Sequence, residues 1–188
     1  MNSLPTTQAT LETKRLLLRP LCDADTASLS KIANDWDIAK FLSSMPHPFT
    51  LEVAKSFIES SNSAYLDNEN IVFAITKRAS KKLIGIIELD LNIKDNHATA
   101  SYWIGKDYWG KGYTTEALEE LVRFGFKELN LHRIASHHFH NNPASGKVMQ
   151  KVGLKLEGKR REHFRKDGEY LDILDYGILA REWSKNIL

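Results

Sequence analysis

Two short segments of the chain carry residue types that could hold an anion or move a proton. The first is Gly110-Lys111-Gly112, which joins an expected strand directly to an expected helix. Glycine lets the backbone turn its N–H groups toward one point, and the start of the helix adds the positive end of its dipole. The segment therefore predicts a cradle for a pyrophosphate, and a glycine-rich turn without a ligand is the alternative.

The cradle does not fit the common nucleotide-binding motifs. Thr115 takes the place of the third glycine of G-x-G-x-x-G, and no G-x-x-x-x-G-K-[ST] occurs in the chain. A Rossmann or P-loop interpretation is therefore weak. A nucleotide-binding regulatory domain without acyl chemistry is kept as an alternative.

The second segment is Asn142-Pro143-Ala144-Ser145. Asparagine suits a helix cap, proline suits the first helical position, and Gly153 suits the position just past the helix end. Capping alone would account for these residues. The Ser145 hydroxyl would nevertheless lie in the first helical turn, where it could act as both donor and acceptor.

A metal site is not expected. Four of the seven histidines lie within nine residues, but strand alternation puts only His138 and His140 on one face. The single cysteine, Cys22, adds no ligand to them. We therefore interpret these histidines as polar residues at the rim of a site. His138 is an alternative candidate for a general base, although no motif supports that role.

The spacing of apolar residues predicts the elements that position both segments, in the order β α α β β β α β α β β, without repeat or linker. The expected strands cover residues 10–21, 71–76, 82–91, 97–105, 133–139, 154–161 and 170–179. The expected helical stretches cover residues 23–34, 36–42, 51–67, 114–128 and 142–152.

Composition limits the classes of function. The 188 residues predict one domain, 1–188, with a loose arm over 1–10, and 42% hydrophobic residues suffice for a core. A net charge of +2 is far below that of a dedicated nucleic-acid binder. The lone cysteine suits a reducing compartment, and neither a secretory signal nor an apolar run of membrane-spanning length is present, so a cytoplasmic protein is expected.

The cradle and its surroundings resemble the GNAT superfamily of acetyl-CoA-dependent N-acetyltransferases. The family's pyrophosphate loop, Q/R-x-x-G-x-G/A, matches Asp107-Tyr108-Trp109-Gly110-Lys111-Gly112 except that Asp107 replaces the Gln or Arg. The T-E-A that follows, ETKRLLLRPL, N-P-A-S, KVGLKLEG and DILDYGIL are similar to the ribosomal-protein-alanine N-acetyltransferase (RimJ/RimL-type) branch. The resemblance covers about Leu11 to Trp183.

The resemblance implies an α/β fold of the GNAT type: a mixed, mostly antiparallel seven-stranded sheet with about four helices. The sheet would splay between the strands over 97–105 and 133–139, and acetyl-CoA would enter there, with an oxyanion donor from the backbone near Ile104. The residues expected to bind it are Trp103, Ile104, Gly105, Gly110, Lys111, Gly112, Tyr113, Thr114, Thr115, Asn142 and Ser145.

The resemblance also implies roles in catalysis. The Ser145 hydroxyl would protonate the departing thiolate. Many relatives carry a Glu as general base on the fourth strand, but here residues 97–101 read H-A-T-A-S. Glu162 is favoured narrowly, because the branch often keeps an acidic residue there, and Glu88 is the second candidate; Asp172 and Asp175 remain. A non-catalytic acyl-CoA-binding module is therefore an alternative.

The expected acceptor is a primary amine, first a protein N-terminal amine such as that of a ribosomal protein. A small-molecule amine, whether a polyamine, an amino acid or a drug, is the alternative. No metal, membrane or nucleic-acid partner is expected, and a homodimer is compatible with the resemblance. The basic run over 159–166 is interpreted as a solvated hairpin, with a patch for an acidic partner or the coenzyme 3′-phosphate as the alternative.

Overall fold

The structure is a computed structural model and describes residues 4–183. Its strands are β1 (Leu11–Glu12), β2 (Leu16–Pro20), β3 (Asn70–Lys77), β4 (Leu83–Asn92), β5 (His97–Ile104), β6 (Arg133–Phe139), β7 (Lys155–Lys166) and β8 (Glu169–Leu179). Its helices are α1 (Thr26–Ala33), α2 (Trp36–Ala39), α3 (Leu51–Leu66), α4 (Tyr113–Lys127), α5 (Pro143–Val152) and α6 (Ala180–Trp183).

The predicted α/β fold is confirmed, with differences at its edges. A turn in which the Thr13 N–H donates to Leu16 O at 3.0 Å divides the first expected strand into β1 and β2. The described sheet therefore has eight strands instead of seven. Two of the six described helices, α2 and α6, have only four residues each, and β7 runs five residues past the predicted end at Arg161, to Lys166.

The strand order is β1-β2-β3-β4-β5-β6-β8-β7. Every neighbouring pair is antiparallel except β5 and β6, which are parallel over only three residue pairs, from His97↔Arg133 to Thr99↔Ala135. Beyond Thr99 the two strands diverge. This opening in the middle of the sheet is the predicted splay.

Helices cover both faces of the sheet, and each face has its own core. On one face α4 buries Leu118, Leu121 and Val122 against the central strands, at the spacing of one helical face. On the other face α1 and α3 bury Leu29 and Ile58 with side chains of β3 and β4. The two layers hold the open edges of β5 and β6 in fixed positions.

The open edge of β5 presents the backbone groups of alternate residues. The Gly105 N–H donates to Ile84 O at 2.8 Å, so Gly105 faces β4. Ala100 O accepts from Ser136 Oγ at 2.8 Å and therefore faces β6. The backbone N–H and C=O groups of successive residues in a strand point to opposite sides. Those of Tyr102 and Ile104 therefore point into the opening, as those of Ala100 do.

The segment over residues 4–10 contains no helix or strand, yet hydrogen bonds tie it to the domain. The Tyr65 hydroxyl donates to Pro5 O at 2.8 Å, and Gln8 Nε2 donates to Val72 O at 2.8 Å. The described part of the predicted loose arm is therefore held against α3 and β3. Within residues 4–183, no helix has both the length and the hydropathy needed to cross a membrane.

Candidate active site

The glycine segment forms the turn that the sequence predicts. Gly110 and Gly112 have φ values of +72° and +75°, a left-handed conformation that glycine adopts without the steric cost of a Cβ. Gly112 caps α4, and no side chain accepts a hydrogen bond from the helix start. Because the Glu116 N–H donates to Gly112 O at 3.1 Å, the N–H groups of residues 113–115 precede the helical ladder and can bind an anion.

An ion pair from the residue just before β2 braces this turn from outside. Arg15 Nε lies 2.6 Å from Glu116 Oε2, and Arg15 Nη1 donates to Lys111 O at 2.9 Å. The same guanidinium stacks on the Tyr113 ring at 4.5 Å. Arg15 thus ties the Lys111 carbonyl, between the two glycines of the cradle, to Glu116 in the first turn of α4.

The donor cleft is a groove of about 350 Å³ that leads from this cradle into the splay. Trp103 and Ile104 form one wall, and Asn142 and Ser145 at the start of α5 form another. Trp109 Nε1 donates to Ile104 O at 2.8 Å, which occupies that carbonyl. The backbone groups of Tyr102 and the Ile104 N–H are left at the open edge, beside this groove.

Ser145 lies at the inner end of the donor cleft, next to the half-buried phenol of Tyr102. Tyr102 Oη is 3.0 Å from Ser145 Oγ and 3.2 Å from Ser145 O. Asn142 caps α5, because its side chain accepts from the Ser145 N–H at 3.4 Å. Burial raises the pKa of Tyr102 above its ordinary value, so the phenol keeps its proton. It can therefore donate a hydrogen bond to the serine oxygen.

The acceptor pocket lies on the other side of β5 and has a single carboxylate among its described lining residues. Apolar side chains, including Phe49, Val53, Phe57 and Trp103, form most of its wall, and Glu88 and Ser101 are its polar members deep in the sheet. Burial raises the pKa of Glu88 and the charge of Asp90 adds to this, while a contact with Asn70 opposes it. A carboxylate with a raised pKa is suited to accept a proton from an ammonium near neutral pH.

Comparison with known proteins identifies the family. Residues 15–155 match the family described as "Acetyltransferase (GNAT) domain". The chain belongs to the GNAT acetyltransferases. The uncharacterized N-acetyltransferase YnaD of Bacillus subtilis (strain 168) is 31% identical over 174 residues, which cover 93% of this chain and 99% of YnaD.

Two further relatives differ in the acceptor that they name. The [ribosomal protein uS5]-alanine N-acetyltransferase of Escherichia coli (strain K12) is 25% identical over 114 residues, covering 60% of this GNAT chain and 59% of the relative. The crystal structure of spermidine N-acetyltransferase from Vibrio cholerae with CoA and spermine has a TM-score of 0.80 and 25% identity, and covers 92% and 99% of the two chains. Acetyl-CoA is accordingly the acyl donor of this GNAT enzyme.

The remaining predicted bases of the acetyltransferase lie on the β7–β8 hairpin. Glu162 is exposed at a bulge of β7 with φ +47°, and its N–H donates to Asp172 Oδ1 at 2.8 Å. Asp172 pairs with Lys159 at 2.6 Å, and Asp175 pairs with Arg160 at 2.7 Å. Glu88 is therefore the predicted carboxylate that the structure brings to the splay, whereas Glu162 points to solvent.

Two of the five cations in the basic run of the GNAT chain pair with carboxylates of the hairpin. Besides the pairs of Lys159 and Arg160, the Lys166 ammonium donates to Leu42 O at 2.6 Å. Leu42 lines both the donor cleft and the acceptor pocket. The hairpin thus closes one end of the cleft, which favours the interpretation of the run as a structural hairpin.

The histidine-rich strand β6 lines a smaller cavity next to Ser145. His138 is buried, and its Nδ1 donates to Phe139 O at 2.8 Å. A Cβ at Gly146 would lie 2.6 Å from His138 Nε2, so the glycine lets α5 pack directly on β6. Within residues 4–183, no group of three or more His, Cys, Asp or Glu side chains is placed to hold a metal ion.

Arg15, Trp109 and Tyr102 are site residues that reasoning from the sequence missed as functional groups. Arg15 meets Glu116 across 101 positions of the chain, so no local pattern indicates the pair. Tyr102 stood one position before the predicted run from Trp103 to Gly105, and strand alternation alone would have shown that it faces away from Trp103. Lys111 lies in the cradle, where its carbonyl accepts from Arg15, and Thr115 lies in the first turn of α4.

Proposed function

We propose that this acetyltransferase moves the acetyl group of acetyl-CoA to the N-terminal amine of a protein by direct attack in a ternary complex. The observation that carries the proposal is that Ser145 and Glu88 line two compartments that share the Tyr102 and Trp103 walls. A thioester in the donor cleft would then meet an amine from the acceptor pocket at β5.

Glu88 is proposed as the general base. An amine attacks only when it has lost its ammonium proton, and the Glu88 carboxylate would take that proton directly or through one water. The nitrogen–carbon bond forms as the carbonyl oxygen becomes negative. The Ile104 N–H at the open edge of β5 is proposed to stabilise this oxygen, as a preorganised backbone donor does.

Ser145 is proposed as the acid. When the tetrahedral intermediate collapses, the carbon–sulfur bond breaks and the sulfur leaves as a thiolate. Ser145 Oγ would donate its proton to the sulfur and regain one from solvent in the open cleft. Tyr102 Oη, 3.0 Å away, keeps its own proton and orients the serine hydroxyl by a hydrogen bond, since a hydroxyl can donate and accept at once.

The protein N-terminus is ranked ahead of small amines partly because of the relative named as a uS5-alanine N-acetyltransferase. The similarity to a spermidine N-acetyltransferase structure holding spermine supports a polyamine as the second candidate. A cytoplasmic location is proposed with either acceptor, since the exposed Cys22 thiol is free, as reducing compartments allow.

Two measurements test the proposal in sequence. Thermal shifts with acetyl-CoA, CoA, ATP and NAD at matched concentrations come first. A ligand at 100 times its Kd stabilises by about 2.7 kcal/mol, or roughly 5 to 11 °C for a domain of this size. We expect only the two CoA species to shift the midpoint, and a shift by ATP or NAD instead would support a nucleotide-binding domain.

The second measurement is thiol release from acetyl-CoA, with peptides and spermidine as acceptors and mass spectrometry to locate the acetyl group. Acetylation at the peptide α-amine is the expected result. CoA binding without transfer to any amine would reduce the protein to an acyl-CoA-binding module. Transfer to spermidine alone would replace the protein acceptor by the polyamine.

A further inference from the structure

The acceptor pocket defined above differs in chemistry from a polyamine site. Among the described residues that line it, Glu88 is the single acidic side chain, and there is no Lys or Arg. Spermidine carries several separated cations, of which one carboxylate can pair with only one. The remaining ammonium groups would lose water against apolar walls without a partner, which is costly.

The same wall disfavours a free amino acid. Its carboxylate, close to the reacting amine, would need a cation or several N–H donors in the pocket. Lys166 reaches the lining residue Leu42, but its ammonium is held by the Leu42 carbonyl at 2.6 Å. A peptide N-terminus avoids this cost, because its first carboxyl group is an amide.

The apolar part of the pocket is built before any acceptor arrives. Phe49 is buried, its N–H donates to Asn34 Oδ1 at 2.9 Å, and its carbonyl accepts from Ser30 Oγ at 2.9 Å. These bonds hold the loop before α3 against α1. Val53 and Phe57 follow one helical turn apart on the same face of α3, opposite Ile86 and Trp103 across the pocket.

We infer that the pocket selects peptides whose first residue has a large apolar side chain, such as Leu, Met or Phe. This inference rests on the proposed function and narrows it. The side chain fills the space between Val53, Phe57 and Trp103, while the amine stays beside Glu88. Alanine and serine would leave the apolar walls exposed to water, and an acidic first residue would meet Glu88 as a like charge.

The test compares kcat/KM of the wild-type protein for peptides that differ only in their first residue, Leu, Phe, Ala, Ser or Asp, and for spermidine. The first two peptides should exceed the Ala peptide by about tenfold or more, which is the scale that apolar pockets reach for small differences in side-chain size. A preference for the Ala or Ser peptide would overturn the inference while leaving the proposed N-terminal acetylation intact. A preference for spermidine, or absence of transfer to every amine, would instead refute the proposed function on which the inference rests.

A pair of variants on α3 tests the wall directly. Val53→Glu adds a second carboxylate to the pocket, at a position where Thr50 already caps the helix by accepting from the residue 53 N–H at 3.3 Å. Glutamate is favoured at this position of a helix start, so the fold should tolerate the change. Lys55→Glu is the matched control, since its side chain is 67% exposed on the same helix.

Val53→Glu should lower kcat/KM for the Leu peptide by about tenfold or more and raise the ratio of spermidine to Leu-peptide acetylation. Lys55→Glu should leave that ratio as in the wild type. Circular dichroism and the CoA-induced thermal shift report whether each variant is folded with a working donor cleft. An unchanged ratio in a folded Val53→Glu variant would show that α3 does not form the acceptor wall and would overturn the inference.

Discussion

Replacing Glu88 by glutamine removes the proposed base while keeping its size and its ability to hydrogen bond. Positioned acid–base groups contribute about 10² to 10⁴ in rate, which is about 2.7 to 5.4 kcal/mol of activation free energy. We expect Glu88→Gln to lose a factor in this range in kcat/KM. Its affinity for CoA should not change, because the residue lies across β5 from the donor cleft.

The pH profile identifies the cause of that loss. In the wild type, kcat/KM should rise with pH as Glu88 loses its proton, at a pKa that burial raises above the ordinary range for glutamate, and again as the peptide amine deprotonates near pH 8. Glu88→Gln should lose the first rise and keep the second. Asp90→Asn is the control: it removes an exposed like charge two residues away, so it should retain turnover and move the first rise to lower pH.

Glu88→Gln should stabilise the protein at high pH although it lowers activity. A carboxyl group whose pKa is raised by folding stabilises the protein below its unfolded pKa, and this contribution is lost as pH rises through the folded pKa. Glu88→Gln should therefore unfold at a higher temperature than the wild type at pH 8, and the gain should vanish near pH 4. A variant that keeps wild-type kcat/KM with both rises intact would refute the assignment of Glu88.

Three further predictions concern the donor side and the fold. Ser145→Ala should slow thiol release by about 10²-fold at unchanged CoA affinity, and Tyr102→Phe should give a smaller loss of the same kind; equal turnover of Ser145→Ala would remove it from the mechanism. Gly112→Val should abolish the CoA-induced thermal shift in a folded protein, whereas Gly168→Val, at φ +88° in the β7–β8 turn, should carry similar backbone strain and still bind CoA. Asp25→Asn should destabilise the protein by about 1 to 3 kcal/mol. Burial alone would raise the pKa of Asp25, but hydrogen bonds from Arg19 and the Cys22 N–H lower it, so the difference measured by urea unfolding should shrink as pH falls below about 4.

Local chemistry made much of the fold predictable. The glycines at 110 and 112, the Asn142 cap and Gly153, which has φ +98° just past α5, each act within a few residues of their own position. Hydrophobic spacing likewise located the long helices and the central strands. These features predicted the order of the main elements, and the family resemblance implied the splay between the strands over 97–105 and 133–139. The structure has both, with the first strand divided in two and α6 added at the end.

The site features that could not be predicted depend on contacts between residues far apart in the sequence. Arg15 braces the cradle only because β2 runs beside the start of α4, and nothing near either residue indicates that contact. The ranking of Glu162 over Glu88 relied on the strand that carries Glu162, where the branch often keeps an acidic residue. The bulge between Arg160 and Phe164 turns Glu162 outward, and the loop before α3 turns the surroundings of Glu88 into a pocket. Both features depend on tertiary packing.

The missing carboxylate on β5 does not by itself indicate a lost activity. In the antiparallel register Glu88 stands directly opposite Ser101, and directly opposed residues have Cβ atoms about 4.5 to 5.5 Å apart. A carboxylate on β4 therefore reaches the same end of the splay as one on β5, displaced by a single strand spacing. Because its neighbours in the acceptor pocket are apolar, this position also raises the pKa of Glu88. The chain thus has a carboxylate of suitable chemistry on the adjacent strand, and the pH profile of Glu88→Gln tests whether it acts as the base.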